Sequence, residues 1–155
     1  MTIELREVKS MPVLMRWRAE VLRAVFGAEP SQRLLVMNRR YYAAHIADGS
    51  HLAVLARCDG EDAGCGGVCF GDELPSPDNF TGRCAYIMNV YVRPGYRGRG
   101  VGREIVRHLV DEARRRDCGK IYLETTRQAE SLYRSVGFGD MPGMMKLYEN
   151  TETAR

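Results

Sequence analysis

Apolar and polar positions repeat along this chain with two periods, and each period predicts a different kind of element. Short alternating or continuously apolar runs predict strands at residues 3–8, 52–57, 63–70, 86–92 and 121–125. The run at residues 86–92 is apolar almost throughout, which indicates a buried central strand. Asp59-Gly60, between the second and third strands, favours a tight hairpin turn.

Apolar residues spaced three and four apart predict four helices. The first two run from residue 10 or 11 to about 26 and from a Ser31 cap to about 48. A third helix is predicted from residue 100 to about 116, and a short fourth helix at residues 129–136 has Gly137 as its C-terminal cap. Residues 138–148 are expected to form a last strand or hairpin around Pro142-Gly143, and residues 150–155 a frayed tail.

Length and composition describe an ordinary globular protein. The 155 residues suit one domain, expected over residues 1–150, and 45% hydrophobic with 28% charged residues is typical of that class. The net charge of +3 argues against a nucleic-acid partner, and no apolar run approaches the length of a membrane span. Five cysteines without metal-type pairing and no visible signal peptide favour a reducing, cytoplasmic location. The three histidines have no neighbours at metal-ligand spacing, so no metal site is expected.

The most distinctive stretch is a glycine-rich turn between the central strand and the third helix. It reads Arg97-Gly98-Arg99-Gly100-Val101-Gly102-Arg103. Backbone N–H groups at the start of a helix point toward one spot and favour an anion such as a phosphate, and the arginines add positive charge. The spacing matches neither the Walker loop nor the dinucleotide fingerprint. Taken alone, the stretch fits an arginine-decorated surface turn equally well.

A second motif lies thirty residues further along, after another strand. Leu132-Tyr133 is followed at the right separation by Gly137-Phe138. Together with Arg97-x-x-Gly100-x-Gly102, this order resembles the GNAT superfamily of acetyl-CoA-dependent N-acetyltransferases. The resemblance is strong over residues 85–138 and extends to the first half through the element order β-α-α-β-β-β-α-β-α-β. It implies an α/β (α+β) domain with a central mixed, mostly antiparallel sheet, about four flanking helices and a splayed central strand pair that receives acetyl-CoA.

The resemblance also implies where acetyl-CoA binds. Backbone N–H groups of the glycine-rich turn would hold the coenzyme A pyrophosphate, and the central strand, bulged in the family, would pair with the pantetheine arm. A backbone N–H of that strand would stabilise the oxyanion, and Asn89 is either the bulge or an ordinary strand asparagine. The implied cofactor-binding residues are Val90, Tyr91, Val92, Arg97, Gly98, Arg99, Gly100, Val101, Gly102 and Arg103.

Two residues are the implied catalytic candidates. Tyr133 matches the family tyrosine near the thioester sulphur and would donate a proton or hydrogen bond to the departing thiolate, although it also lies on an apolar stripe that suits a core residue. Glu124, at the end of the last predicted strand, is the first candidate for the base that takes the amine proton, followed by Asp72 and Glu73. Thr126 stands where many relatives carry asparagine, which puts one hydrogen bond to the pantetheine arm in doubt.

The resulting expectation is an N-acetyltransferase that moves the acetyl group of acetyl-CoA to a primary amine by direct attack on the thioester. The expected acceptor is a small-molecule or peptide amine, since Asp72, Glu73 and Asp78 make the long loop acidic. Two alternatives stay open: an acyl-CoA-binding sensor without catalysis, and an enzyme that acetylates a macromolecule such as a protein N-terminus or a charged transfer RNA. A homodimer is also expected from the family.

Overall fold

A five-stranded sheet runs through the molecule, and helices cover both of its faces in the computed structural model, which describes residues 1–149. The elements in chain order are β1 (Ile3–Glu7), α1 (Met11–Phe26), α2 (Gln32–Ala47), β2 (His51–Cys58), β3 (Glu61–Asp72), β4 (Arg83–Val92), α3 (Val101–Arg115), β5 (Lys120–Leu123) and α4 (Glu130–Val136). This order matches the prediction up to the end of α4.

The sheet is mixed and mostly antiparallel, as predicted. Its spatial order follows the sequence from β1 to β5. The first four strands pair antiparallel, whereas β5 pairs parallel with β4 because α3 crosses over between them. The crossover places the start of α3 beside the C-terminal end of β4. That end of the sheet is where ligands bind in folds with parallel strands.

Alternation along the strands divides the core into two layers. Residues such as Val54, Val68 and Ile87 face α3 and α4 and are almost fully buried. Their neighbours Leu55 and Cys65 point to the other face and pack with Trp17 of α1 and Tyr42 of α2. Each large apolar side chain buried in this way stabilises the fold by about 1.5–3 kcal/mol.

Helix α3 sits closely on the sheet because β3 is rich in glycine. A Cβ atom at Gly66 would lie 2.5 Å from Ile105 Cγ2, and one at Gly64 would lie 2.6 Å from the carbonyl oxygen of Tyr91. Ile105 and Leu109 are completely buried against this glycine-lined surface. The close packing fixes the height of the α3 N-terminus above the sheet.

The C-terminal prediction is wrong for residues 138–148. The structure contains no strand between residues 138 and 149; a turn at residues 142–143 interrupts the segment, which does not hydrogen-bond to β5. Met145 and Leu147 are 97% and 90% exposed because no facing layer covers them. The frayed tail predicted for residues 150–155 lies outside the described residues. Of the helices described up to residue 149, none combines the length and apolar character needed to cross a bilayer.

Candidate active site

The two parallel strands, β4 and the edge strand β5, separate at their C-terminal ends. β4 pairs with β5 only from Cys84 to Ile87, although β4 continues to Val92. β5 ends at Leu123, so the last five residues of β4 have no partner on that side. A cleft of about 860 Å³ opens at this point. The splayed strand pair expected from the sequence is therefore present.

A β-bulge lies within the splayed part of β4. Met88 pairs with Gly67 and Tyr91 with Cys65, so Asn89 and Val90 together oppose the single residue Gly66. Asn89 has φ of +57°, a left-handed conformation that asparagine tolerates better than most residues. The interpretation of Asn89 as the bulge is confirmed. Val90, the next residue, stands outside the pairing with either neighbouring strand and lines the cleft.

The glycine-rich turn forms the floor of the same cleft. Gly98 and Gly100 have φ of +74° and +85°, and Gly100 is the N-cap of α3 without any capping side chain. The first N–H groups of α3 consequently have no intrahelical partner. A Cβ atom at either glycine would meet no protein atom within 4 Å. The turn thus presents free backbone donors, at the positive end of a helix, to open space that can accept an anion.

Gly102 has a different environment from the other two glycines. A Cβ atom at Gly102 would lie 3.1 Å from Leu132 Cδ2 of α4. The absence of a side chain lets α3 and α4 approach closely, and this contact brings α4 and its Tyr133 to the cleft. Gly102 also lines the cleft, so it serves helix packing as well as the cleft surface.

The arginines of the turn are oriented differently from one another. Arg97 folds back so that its Nε donates to the carbonyl oxygen of Val92 at 2.9 Å, and Arg103 lines the cleft from the first turn of α3. Arg99 instead stacks over the ring of Tyr96, with 5.6 Å between guanidinium carbon and ring centroid. Nine of the ten predicted cofactor-binding residues line the cleft, and Arg99 is the exception.

Tyr133 combines the two environments considered for it. Tyr133 is 8% exposed, and its ring packs edge-on against Phe138, at 6.0 Å between centroids. The same residue lines the cleft and a neighbouring cavity of about 540 Å³ beside β5. Burial raises the pKa of the Tyr133 phenol above its ordinary value, which already lies well above neutral pH.

The candidate bases lie apart from the cleft lining. Glu124 follows β5 and accepts a hydrogen bond from the Tyr86 hydroxyl at 3.0 Å; burial, and then this carboxylate, raise the pKa of Tyr86 to about 12. Glu73 accepts hydrogen bonds from Asn79 at 3.0 Å and Lys120 at 3.2 Å, which lower its pKa and stabilise it as a carboxylate. Asp72, the last residue of β3, is exposed. No three His, Cys, Asp or Glu side chains within residues 1–149 come together as a metal site requires.

Two polar contacts at this site could not be predicted from spacing. Arg18 of α1 donates to Asn89 at 2.8 Å, and Arg93 makes a two-pronged ion pair with Glu20 of α1 at 2.9 Å for both contacts. The Arg93 guanidinium lowers the pKa of Glu20. In each pair the two residues are more than seventy positions apart in the chain, so no local pattern indicates the contact.

Thr126, which stands at the position of the family asparagine, also lines the cleft.

Comparison with known proteins agrees with this geometry. The Acetyltransferase (GNAT) family model matches residues 12–138. Glucosamine 6-phosphate N-acetyltransferase 1 from Oryza sativa subsp. japonica is 33% identical over 101 residues, which span 63% of this chain and 59% of that protein. Thialysine N-epsilon-acetyltransferase from Bos taurus is 28% identical over 142 residues, 89% of this chain and 74% of the bovine protein.

A solved structure shows the same fold over nearly the whole chain. The crystal structure of a predicted acetyltransferase with acetyl-CoA from Clostridium acetobutylicum superposes with a TM-score of 0.83 at 26% identity, covering 95% of this chain and 96% of that one. The family match spans both the glycine-rich turn and the Tyr133 motif, the two features that meet at the cleft. The chain therefore belongs to the Acetyltransferase (GNAT) family.

Proposed function

We propose that this member of the GNAT family is an acetyltransferase that uses acetyl-CoA and transfers its acetyl group to a primary amine. The observation that carries the proposal is the convergence of the α3 N-terminus, the splayed end of β4 and Tyr133 on one cleft of about 860 Å³. A pyrophosphate fits the turn because the backbone donors of α3 are free and open space lies over Gly98 and Gly100. Acetyl-CoA, when bound, supplies an activated acetyl thioester.

Binding falls to the glycine-rich turn and the strand end. The N–H groups from Gly98 to Arg103 hold the pyrophosphate, and Arg103 adds charge from the first turn of α3. Each exposed helix-end interaction stabilises an anion by only about 0.3–1 kcal/mol, so several donors act together. Val90, Tyr91 and Val92 offer backbone groups to the pantetheine arm, since β5 does not occupy that side of β4.

Two groups act where charge develops. The N–H of Val90, outside the strand pairing, donates to the acetyl carbonyl oxygen, and oxyanion donors of this kind contribute about 3–4 kcal/mol. The Tyr133 hydroxyl, which is protonated at neutral pH, donates toward the sulphur as the thiolate leaves.

Deprotonation of the acceptor is assigned to Glu124. A lysine-like ammonium has a pKa near 10.4, so only about one molecule in 2,500 is neutral at pH 7. Glu124 is exposed at the end of β5, and the Tyr86 hydroxyl hydrogen-bonds one of its oxygens and orients the carboxylate. It takes the amine proton directly or through water. Glu73 is less suited because its carboxylate is already engaged by Lys120 and Asn79.

The acceptor is proposed to be a small-molecule or peptide amine. The names of the rice and bovine relatives specify glucosamine 6-phosphate and thialysine, which are both amines. A ribosomal-protein alanine N-acetyltransferase from Escherichia coli, 32% identical over 71 residues, keeps a protein N-terminus among the candidates.

The test is a screen of primary amines with acetyl-CoA, in which release of free thiol reports turnover. Amine-dependent thiol release supports the proposal. Tight binding of acetyl-CoA without acetylation of small amines, peptides with a free amino group or protein N-termini would favour the acyl-CoA sensor instead.

A further inference from the structure

The bulge of β4 is held by side chains that lie far from it in sequence. Arg18 of α1 donates from Nη1 to Asn89 Oδ1 at 2.8 Å and from Nε to Asn38 Oδ1 of α2 at 2.9 Å. Asn38 Nδ2 donates in turn to the carbonyl oxygen of Leu34, also on α2, at 2.9 Å. A single guanidinium therefore ties the bulge residue to both helices that cover this face of the sheet.

A second anchor holds the main chain of the same residue. The Cys65 thiol on β3 donates to the carbonyl oxygen of Asn89 at 3.5 Å. Burial, the largest cause, raises the pKa of Cys65 to about 12, so the thiol keeps the proton that it donates. Asn89 is thus fixed through its side-chain oxygen and its main-chain oxygen from two directions.

Fixing Asn89 determines the direction of the next backbone donor. The peptide plane between Asn89 and Val90 carries the N–H of Val90, and this plane turns as a unit with the backbone angles of Asn89. Asn89 holds a left-handed conformation with φ of +57°. This conformation costs a non-glycine residue conformational free energy, so it persists only where surrounding contacts offset that cost. Val90 has no strand partner of its own to orient it.

Arg18 is suited to this task by its shape. Its two hydrogen bonds use the planar fork of the guanidinium, which reaches two separate amide oxygens at fixed geometry; a lysine ammonium lacks this fork. Within residues 1–149 no carboxylate lies within ion-pair distance of Arg18, in contrast to Arg93 with Glu20 on the same face. The half-buried Arg18 donates its hydrogen bonds to amide oxygens of the bulge and of α2 and not to a carboxylate.

We propose that Arg18 is a positioning residue for acetyl transfer: it locks Asn89 in its left-handed conformation and so aims the Val90 N–H into the cleft. Arg18 acts through Asn89 and does not contact acetyl-CoA or the acceptor. The inference rests on the proposed role of the Val90 N–H. Loss of Arg18 is expected to change kcat rather than KM, because a misdirected Val90 N–H no longer stabilises the negative charge that develops on the carbonyl oxygen in the transition state.

The kinetic test compares Arg18→Met, Arg18→Lys, Asn89→Gly and the double variant Arg18→Met/Asn89→Gly with wild type. Arg18→Met is expected to lower kcat about ten- to a hundredfold with KM for acetyl-CoA within about twofold, and Arg18→Lys is expected to fall between it and wild type. In the double variant kcat falls no further than in Asn89→Gly, because both changes break one connection. Arg16→Met, an exposed position on the same helix, is the matched control and retains wild-type kinetics.

The second readout needs no turnover. In protein labelled with ¹⁵N-valine, the Val90 amide resonance of the ligand-free enzyme is expected to shift and broaden in Arg18→Met and to stay in place in Arg16→Met. An unchanged Val90 resonance in folded Arg18→Met overturns the proposal, whether kcat is retained or the acceptor KM rises through a direct contact. Losses of kcat that simply multiply in the double variant overturn it as well. If wild type acetylates no amine, the proposed function fails, while the Val90 resonance still decides whether Arg18 holds the bulge.

Discussion

One residue of the candidate site, Tyr133, is both a packed core residue and part of the cleft lining. Tyr133 places a buried ring against Phe138 and lines the cleft at the same time. A tyrosine phenol is protonated at neutral pH, and the apolar surroundings raise its pKa further because burial disfavours the charged phenolate. A core position and a proton donor are therefore compatible at this residue.

Replacing Tyr133 with phenylalanine is expected to lower kcat roughly tenfold to a thousandfold with little change in KM for acetyl-CoA. The substitution keeps the ring and its packing and removes only the hydroxyl, whose interaction strengthens as charge develops on sulphur. Steady-state kinetics with any accepted amine measure both constants. Tyr148→Phe, outside the cleft lining, is the control. A wild-type kcat in Tyr133→Phe would remove Tyr133 from the mechanism, whereas a raised KM alone would make it a binding residue.

His51, at the start of β2, predicts a pH dependence of stability. Its Nδ1 shares a 2.7 Å hydrogen bond with the Tyr41 hydroxyl. The ring also packs tightly on β3, because a Cβ atom added at Gly67 would lie 2.8 Å from His51 Nε2. Burial first, and then the positive charges of His45 and Arg18, lower its pKa from 6.5 to about 4. Between these two values the unfolded chain binds the proton and the folded chain does not. Folding stability is therefore full above the unfolded pKa and is lost as pH falls toward the folded pKa.

The expected loss is about 2 kcal/mol of unfolding free energy between about pH 7.5 and about pH 5, measured by urea denaturation. His51→Gln is expected to lower stability at every pH and to remove most of this pH dependence. His108→Gln, which removes an imidazole from α3, is the control and keeps it. The same pH dependence in wild type and His51→Gln would contradict the assignment.

At the scale of elements, the glycine-rich turn and α3 divide their work between ligand space and packing. Gly98 and Gly100 leave room above the helix terminus, and Gly102 leaves room for Leu132. The tight seating of α3 on the glycines of β3 sets where this terminus lies. The proposed anion site depends on the strand, turn and helix together, since its donors belong to the backbone.

Gly100→Val is expected to weaken coenzyme A binding at least about tenfold, because a side chain then fills the space over the backbone donors. The left-handed φ of +85° also makes valine cost about 1–3 kcal/mol of stability. Titration calorimetry with coenzyme A measures the affinity after circular dichroism has established folding. Gly95→Val, in the short 3-10 helix Pro94–Tyr96 just before the turn, has no positive φ and lies outside the cleft lining, and it is the matched control. Unchanged affinity in folded Gly100→Val would refute the phosphate assignment.

For the molecule as a whole, β5 leaves one edge of the sheet unpaired within residues 1–149. Close to that edge in the chain, Met145 and Leu147 expose their apolar side chains. Open strand edges and exposed apolar side chains both favour association. The homodimer predicted from the family stays a prediction, and this part of the surface is where it is expected to form.

Sedimentation equilibrium is expected to give twice the 17.5 kDa mass of the chain at protein concentrations of about tens of micromolar. Met145→Ser/Leu147→Ser is expected to shift the equilibrium toward monomer by removing apolar surface. Leu74→Ser removes an equally exposed leucine from the loop after β3 and serves as control. A single 17.5 kDa species in the wild type would count against the dimer.

Local pattern was sufficient for most elements because helix and strand periods depend on neighbouring residues. The first helix was predicted to begin at residue 10 or 11 and end near 26, and α1 runs from Met11 to Phe26. The prediction of a strand at residues 138–148 was wrong, because a strand needs a pairing partner as well as apolar residues. No strand pairs with this segment in the described part of the chain. The bulge at Asn89 was visible only as one of two interpretations, since φ is not readable from a residue type that tolerates both conformations.

The sequence by itself determined the element order up to α4, the strand–turn–helix that carries free backbone donors, and the two motifs that indicate the family, since all of these depend on residues close together in the chain. Only the tertiary structure decided that Arg99 stacks on Tyr96, that Gly102 makes room for Leu132, and that Glu124 meets Tyr86. It also brought Arg18 to Asn89 across 71 positions of sequence. Such contacts are set by how α1 and α2 lie on the sheet, which depends on the packing of the whole core rather than on any local period.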